Sequence, residues 1–137
     1  MKITFAFLVG AIYFFIIFLG VVPEFALATI AFDASSTGNS AGTTITVSHT
    51  VGAGTNRILF VSFYAEDGAG GSGEPEFVSY ANVAGVKIGA VPAKSNQRTQ
   101  TMWYILDPPT GTADIVATTS ASASDLGIES ASYSGVD

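Results

Sequence analysis

Apolar residues after residue 28 recur at every second position, and this spacing restricts the fold more than any other feature. In residues 43–50, Ile45, Val47 and His49 share one side of an extended chain, and threonine or serine fills the positions between them. No stretch after residue 28 has a helical apolar repeat of useful length. Glycine, serine, proline and asparagine separate the alternating runs, which is typical of strands joined by turns.

The pattern predicts eight strands at near-regular spacing: 29–34, 43–50, 57–65, 77–83, 86–93, 99–107, 113–121 and 126–136. We therefore predict an all-β domain, an antiparallel β-sandwich of jelly-roll or immunoglobulin-like type. Strands 77–83 and 86–93 are predicted to form a hairpin or meander, and 35–43 a loop. Strand 57–65 is apolar on both faces, so we expect a central strand covered on both sides. The phenylalanines expected in the core are Phe32, Phe60, Phe63 and Phe77.

The N-terminus has the layout of a secretory signal peptide. Residues 3–22 carry no charge, Lys2 precedes them, and Pro23 is followed by Ala26-Leu27-Ala28. We predict a hydrophobic helix in residues 1–28 that is cleaved after Ala28. An uncleaved membrane anchor is the alternative, because an apolar run of about 20 residues can span a bilayer. Either reading places residues 29–137 outside the cytoplasm, as a secreted or cell-surface domain.

Composition limits the partners and the chemistry. The net charge of −6 disfavours nucleic acid and anionic membrane surfaces, which leaves the N-terminal segment as the only expected membrane contact. The chain has no cysteine, so thiol nucleophiles and cysteine-ligated metals are excluded. The last strand pattern runs almost to Asp137. We therefore expect the β-domain to be truncated at its C-terminus, as the N-terminal piece of a longer protein.

Three groups of residues resemble a recurrent β-sandwich module of secreted and surface-attached proteins of bacteria and archaea. They are the turn Gly54-Thr55-Asn56-Arg57 before a hydrophobic strand, Trp103 followed by the turn Pro108 to Thr112, and Ser134 to Asp137. The resemblance covers about residues 31–137. It implies a β-sandwich, often one of several in a large extracellular protein, and no catalytic residues. The module usually has a Tyr-Gly-Gly hairpin; here Tyr80 is present and the glycines are displaced.

The loop between the third and fourth predicted strands carries four carboxylates: Glu66, Asp67, Glu74 and Glu76. Oxygen ligands on a glycine-rich loop suit calcium, which binds six to eight oxygens. The spacing differs from that of an EF-hand. The alternatives are a solvated turn and, more remotely, a carboxylate pair for glycoside hydrolysis. No cofactor is required by the sequence, and calcium is possible.

The aromatic residues Trp103, Tyr104 and Tyr80 are candidates for a sugar-stacking surface. Trp103 and Tyr104 are adjacent in a strand, so their side chains point to opposite faces and at most one belongs to the core. The alternative is that these rings are ordinary core and surface residues.

Two further residues are interpreted as structural. His49, the only histidine, is expected to bond backbone or water at a strand end, since no nucleophile motif accompanies it. Arg57 is expected to extend its side chain along the surface or to pair with a carboxylate. The glycine-rich run 51–56 leads into a strand and has no Lys-Ser/Thr, so it is not a phosphate loop.

Together these observations predict a non-catalytic structural or adhesion module of a larger extracellular protein. The alternative is a carbohydrate-binding module, with calcium as a possible stabiliser, attached to a secreted enzyme. The expected partners are polysaccharides or other extracellular proteins. A small hydrolase is a distant third, because it needs convergent titratable groups in a cleft.

Overall fold

A computed structural model describes residues 29–66, 75–92 and 98–136. In these ranges the chain forms seven β-strands and no helix: Ala31–Val51 (β1), Ile58–Glu66 (β2), Pro75–Tyr80 (β3), Val83–Ala84 (β4), Val86–Pro92 (β5), Arg98–Leu106 (β6) and Gly111–Ser134 (β7). None of the elements described is a helix with the length and hydropathy to cross a membrane. The predicted signal peptide, residues 1–28, lies outside the described residues.

The all-β prediction is confirmed, and the strands form one nearly closed sheet. Their order is β4-β3-β7-β2-β6-β5, and β1 pairs with β7 beside this path. All pairings are antiparallel. The two ends of the order, β4 and β5, are joined by Gly85 alone. Hydrogen bonding therefore connects all the strands in one sheet, and the finer class, a sandwich, stays a prediction.

The two longest strands each merge two predicted ones, so the predicted loop at 35–43 is wrong. β1 and β7 pair from Ala31 opposite Ser134 to Val51 opposite Gly111, with an interruption opposite residues 119–122. The pairing shifts register around Gly42, whose φ of 117° lies in the region that favours glycine. The glycine and serine that indicate a loop here form a bulge inside a continuous strand.

Beyond this bulge the two halves of β1 face each other across the interior. A Cβ built on Gly38 would lie 2.6 Å from Cγ2 of Val47, so the backbone of the first half touches side chains of the second half. The first half of β7 lies between β1 and β3, and its second half lies between β1 and β2. β7 thus has different neighbours along its two halves.

The predicted pairing of 77–83 with 86–93 is wrong. β3 instead pairs with β4 through the two-residue turn Ala81-Asn82, and β5 pairs with β6. Gly85 changes the direction of the chain at this point: its amide donates to the Val78 carbonyl at 2.8 Å. A Cβ on Gly85 would contact the backbone oxygens of Val78 and Tyr104 at 3.3 and 3.5 Å, so this link brings β3 close to β6.

The core is formed by one face each of β2, β3, β6 and β7 and of the second half of β1, while β4 and the described side chains of β5 are exposed. On β1 the predicted face is confirmed, with Ile45, Val47 and His49 buried. β2 is central, as expected, and its alternate residues Leu59, Val61, Phe63 and Ala65 are fully buried. Its other face is only half buried, so the expected cover on both sides is wrong. Of the four phenylalanines assigned to the core, Phe63 alone is buried; Phe32 is 61% exposed and Phe77 is 43% exposed.

Candidate functional site

The acidic loop predicted as a calcium site is described only at its ends. Glu66 accepts hydrogen bonds from Nε and Nη2 of Arg98 at 3.1 and 2.5 Å. Glu76 is exposed on β3, while Asp67 and Glu74 lie outside the described residues. In the ranges that are described, no three histidine, aspartate or glutamate side chains are grouped as metal ligands. Calcium binding by this loop stays an untested alternative to a solvated turn.

The three aromatic candidates lie in two different places. Trp103 points inward, is 6% exposed, and its Nε1–H donates to Thr101 Oγ1 at 2.9 Å. Tyr80 is fully buried, and its hydroxyl donates to the Gly111 carbonyl at 2.6 Å. Tyr104 points outward and is half-buried. The expected opposite orientation of Trp103 and Tyr104 is confirmed, and Tyr104 is the one of the three on an open face.

Tyr104 belongs to a larger aromatic surface that the sequence analysis missed. We call one side of the sheet the outer face because it points away from the core. It is formed by the first half of β1, the second half of β7, β2, β6 and β5. Its aromatic residues are Phe32, Phe60, Tyr64, Tyr104 and Tyr133. They were missed because strand periodicity separates two faces without telling which one is covered.

An apolar band crosses the outer face from β1 to β5. The Tyr133 ring is edge-on to Phe32 and Phe60, with centroids 5.8 and 6.4 Å apart. Phe60 is directly opposite Tyr104, which in turn is opposite Val86, a residue that is 52% exposed. Neighbouring rings and aliphatic side chains on adjacent strands stabilise a sheet. A contiguous apolar band that is exposed at Phe32 and Val86 and half-buried between them is also typical of an interaction site.

Beside this band lies a trough with one mainly apolar and one mainly polar part. It consists of two open hollows of about 340 and 290 Å³, which share Thr37 of β1 and Glu129 of β7. Phe60 and Ser62 line the first hollow, and Tyr64 lines the second. The remaining residues along the trough are Ser35, Gly38, Asn39, Met102, Ile128, Ser130 and Ala131.

The ring of Tyr64 is held in a fixed position at one end of the trough. It lies over Gly127, where a Cβ would collide with the ring. The guanidinium of Arg98 stacks on it, 4.4 Å from the centroid, and its hydroxyl donates to Asp125 at 3.0 Å. Burial, and then the Asp125 hydrogen bond, raise the pKa of Tyr64, so the hydroxyl stays protonated at neutral pH.

A second cluster of polar residues surrounds His49 in the interior. Nδ1 of His49 lies 2.7 Å from Ser36 Oγ, and Nε2 lies 3.1 Å from Ser132 Oγ. Ser132 Oγ in turn lies 2.9 Å from Asp33 Oδ2, which also accepts the Gly52 amide at 2.7 Å. The expectation that His49 bonds backbone or water is wrong, since its partners are serine side chains of β1 and β7.

The proton positions in this cluster follow from its geometry. Asp33 can only accept, so the Ser132 hydroxyl donates to it. Ser132 Oγ must then accept from Nε2–H of His49, which leaves Nδ1 as an acceptor for the Ser36 hydroxyl. Ser130 donates to the Ser36 carbonyl at 3.1 Å. The neutral Nε2–H tautomer satisfies every group in the chain from Ser36 to Asp33.

Electrostatics favour the same state. Burial lowers the pKa of His49, and the nearby Asp33 carboxylate only partly opposes this shift. The Gly52 hydrogen bond lowers the pKa of Asp33 despite some desolvation. The cluster contains the serine, histidine and aspartate of a hydrolase triad, but Asp33 bonds Ser132 and not the imidazole ring. His49 is also only 2% exposed, so we interpret the cluster as a polar link between the halves of β1 and β7.

The three sequence groups that carry the module resemblance meet at one end of the molecule. Arg57 donates to the carbonyls of Gly54 and Pro108 at 2.6 and 3.0 Å, which ties the first turn to the second. The amides of Gly135 and Val136 donate to the carbonyls of Thr55 and Asn56, both at 2.9 Å. Of the two expectations for Arg57, an extended surface side chain or a carboxylate pair, the second is wrong, since its described bonds go to main-chain carbonyls.

Comparison with protein-family models, with curated proteins and with solved structures found no match to this chain. The resemblance to the extracellular module therefore stays a prediction. The hydrogen bonds between these turns give the turn residues a structural role in this chain.

Proposed function

We propose that this chain is a non-catalytic module of a larger secreted or cell-surface protein, and that it attaches to its partner through the outer face. The observation that carries the proposal is the partly exposed aromatic band on the outer face. Burying that band against a ligand removes apolar surface from water, which is the main driving force for association. The uncharged N-terminal run supports export of the domain.

We further infer that the folded sheet is a β-sandwich. One layer would contain β4, β3, the first half of β7 and the second half of β1. The other would contain the first half of β1, the second half of β7, β2, β6 and β5. The contacts of Ser36 with His49 and of Gly38 with Val47 support this reading, because they join the two halves of one strand across the interior. Long strands that pass between layers at a bulge are known in sandwiches.

Export is tested by locating the full chain, with a tag at its C-terminus, in a bacterial host. We expect the tag in the medium, or on intact cells where added protease removes it. A tag that resists protease until the cells are lysed would contradict the proposal. No property of the ligand enters this measurement.

Attachment through the outer face is tested with cells that display the full chain. We expect such cells to bind a polysaccharide-coated or protein-coated surface better than cells without it. Replacing Phe60 by Ser should remove the gain, because it interrupts the apolar band at its centre. The matched control is Phe77→Ser on β3, another half-exposed phenylalanine outside the outer face. Equal attachment by both variants would argue against the outer face.

A further inference from the structure

We propose that the trough on the outer face binds a neutral polysaccharide lengthwise. Phe60 and Tyr64 would contact the apolar faces of sugar rings, and Thr37, Ser62 and Glu129 would hydrogen-bond their hydroxyls. This inference rests on the proposed function, because it names the ligand class for the same binding face. It uses residues that differ from Trp103 and Tyr80, which are buried.

Apolar and polar side chains alternate along the trough, and a sugar chain offers groups that match both kinds. Along β2, Phe60, Ser62 and Tyr64 point to the same side, so a hydroxyl lies between two rings. Ser62 is directly opposite Glu129, and Glu129 is opposite Thr37, so a polar row crosses three strands at this level. A pyranose has a face of C–H groups and a rim of hydroxyls, and it can satisfy both kinds of position at once.

The charge of the trough selects a neutral ligand. None of the residues that line the two hollows is cationic, and Glu129 places a carboxylate at their junction. Arg98, at the Tyr64 end, is already paired with Glu66. The whole chain carries a net charge of −6. An anionic polysaccharide would therefore be repelled, whereas a carboxylate accepts hydrogen bonds from neutral sugar hydroxyls.

The dimensions favour a chain over a single sugar. Four residue steps separate Phe60 from Tyr64, which is roughly 13 Å along an extended strand. The Tyr64 ring is fixed by Gly127, Asp125 and Arg98, so little conformational freedom is lost when a sugar packs on it. Affinity should accordingly rise from a monosaccharide to an oligosaccharide that reaches both rings.

A protein partner fits this trough less well. The centres of protein–protein interfaces are depleted of charged residues, and burying an unpaired carboxylate there is costly. Glu129 is exposed at the middle of the trough, where a protein partner would have to cover it. Sugar hydroxyls would solvate the same carboxylate by direct hydrogen bonds.

The experiment is calorimetric titration of the purified full chain with cellohexaose, maltohexaose, mannohexaose and xylohexaose, and with oligogalacturonate as the anionic comparator. We expect at least one neutral hexasaccharide to bind and oligogalacturonate not to bind. Phe60→Ala and Glu129→Gln should each weaken binding about tenfold, a loss of about 1.4 kcal/mol. The matched control, Phe77→Ala, should bind like the parent chain. Thermal unfolding of each variant shows whether it is folded.

Three results would overturn the inference: no binding of any neutral hexasaccharide, preferred binding of oligogalacturonate, or binding that Phe60→Ala leaves unchanged in a folded variant. A second copy or another protein as the true occupant would give the first of these results. If no sugar binds but cells that display the chain still attach through Phe60, the proposed attachment function is kept and the polysaccharide ligand is rejected. Retention of the tagged chain inside cells would contradict the proposed function, whatever the result of the sugar titration.

Discussion

Two residues in the turn between β3 and β4 have backbone angles that suit glycine. Ala81 has a φ of 49° and Asn82 a φ of 65°, as in the two-residue hairpin turn in which both central residues are left-handed. Asparagine tolerates this region, but for alanine the Cβ crowds the backbone. The hairpin therefore forms at a cost in conformational energy that glycine at residue 81 would avoid.

We predict that Ala81→Gly stabilises the protein by about 0.5–1 kcal/mol. Relief of the left-handed strain should outweigh the greater freedom of glycine in the unfolded chain. Urea unfolding of the full chain measures the difference. Ala90→Gly in β5 is the control, since Ala90 has ordinary strand geometry and should lose stability. If Ala81→Gly lowered the free energy of unfolding as much as Ala90→Gly does, the backbone at Ala81 would not be strained.

At the same scale, His49 should make stability depend on pH. Its pKa in the folded protein lies below the usual 6.5, so the unfolded chain binds a proton more readily. Stability should then be complete above about pH 6.5 and fall as the pH is lowered through the folded-state pKa. The low pKa of Asp33 adds a further loss only in stronger acid, below its usual 3.8.

The test is the unfolding midpoint of the parent chain and of His49→Gln between pH 5 and 7.5. We expect His49→Gln to be less stable at neutral pH, because it breaks bonds to Ser36 and Ser132, but nearly flat from pH 7 to 5.5. The parent should decline over that interval. A parent chain that is flat there, or a variant with the same slope, would show that His49 does not titrate as inferred.

At the scale of the elements, the bend of β1 depends on the absence of a side chain at residue 38. We predict that Gly38→Ala destabilises the protein by about 1–3 kcal/mol, since its Cβ would collide with the stiff Val47 side chain. The control is Gly89→Ala in β5, where a Cβ would have no neighbour within 4 Å and should be tolerated. Thermal unfolding compares the two, and equal midpoints would mean that the halves of β1 are not in contact.

Glu66, the carboxylate at the start of the loop between β2 and β3, already forms an ion pair with Arg98. Because Glu66 pairs with Arg98, a cation at this loop would have to compete for it. We therefore expect millimolar calcium and EDTA to leave the unfolding midpoint of the full chain unchanged. A rise with calcium, abolished in the Glu74→Gln/Glu76→Gln variant, would establish the calcium site through linkage.

Sequence periodicity predicted the strand class and the buried side of the second half of β1, because Ile45, Val47 and His49 alternate with hydroxyl residues. It missed that β1 is continuous, since local propensity at Gly42 indicates a break and only pairing with β7 overrides it. The His49 cluster joins residues 83 positions apart, and the outer face joins several strands. Which residues become neighbours in these places depends on the sheet topology, and the topology cannot be read from a single sequence.

At the scale of the whole molecule, the pairing couples the first and last strands. β7 pairs with β1, β2 and β3, so its longest strand joins the two sides of the described sheet. We predict a single cooperative transition in urea. Fluorescence of Trp103, the only tryptophan, should report loss of the core at the same midpoint as far-ultraviolet circular dichroism. Separated midpoints would indicate that parts of the sheet unfold independently.

The antiparallel pairing of Ala31 with Ser134 also determines how the domain would bear mechanical load. The start of β1 and the end of β7 lie side by side at one end of the sheet. Tension applied between these two points would act across the strands and separate β1 from β7 one hydrogen-bonded pair after another. Shearing would load many bonds at once, whereas this unzipping loads few. The domain should therefore extend under low force.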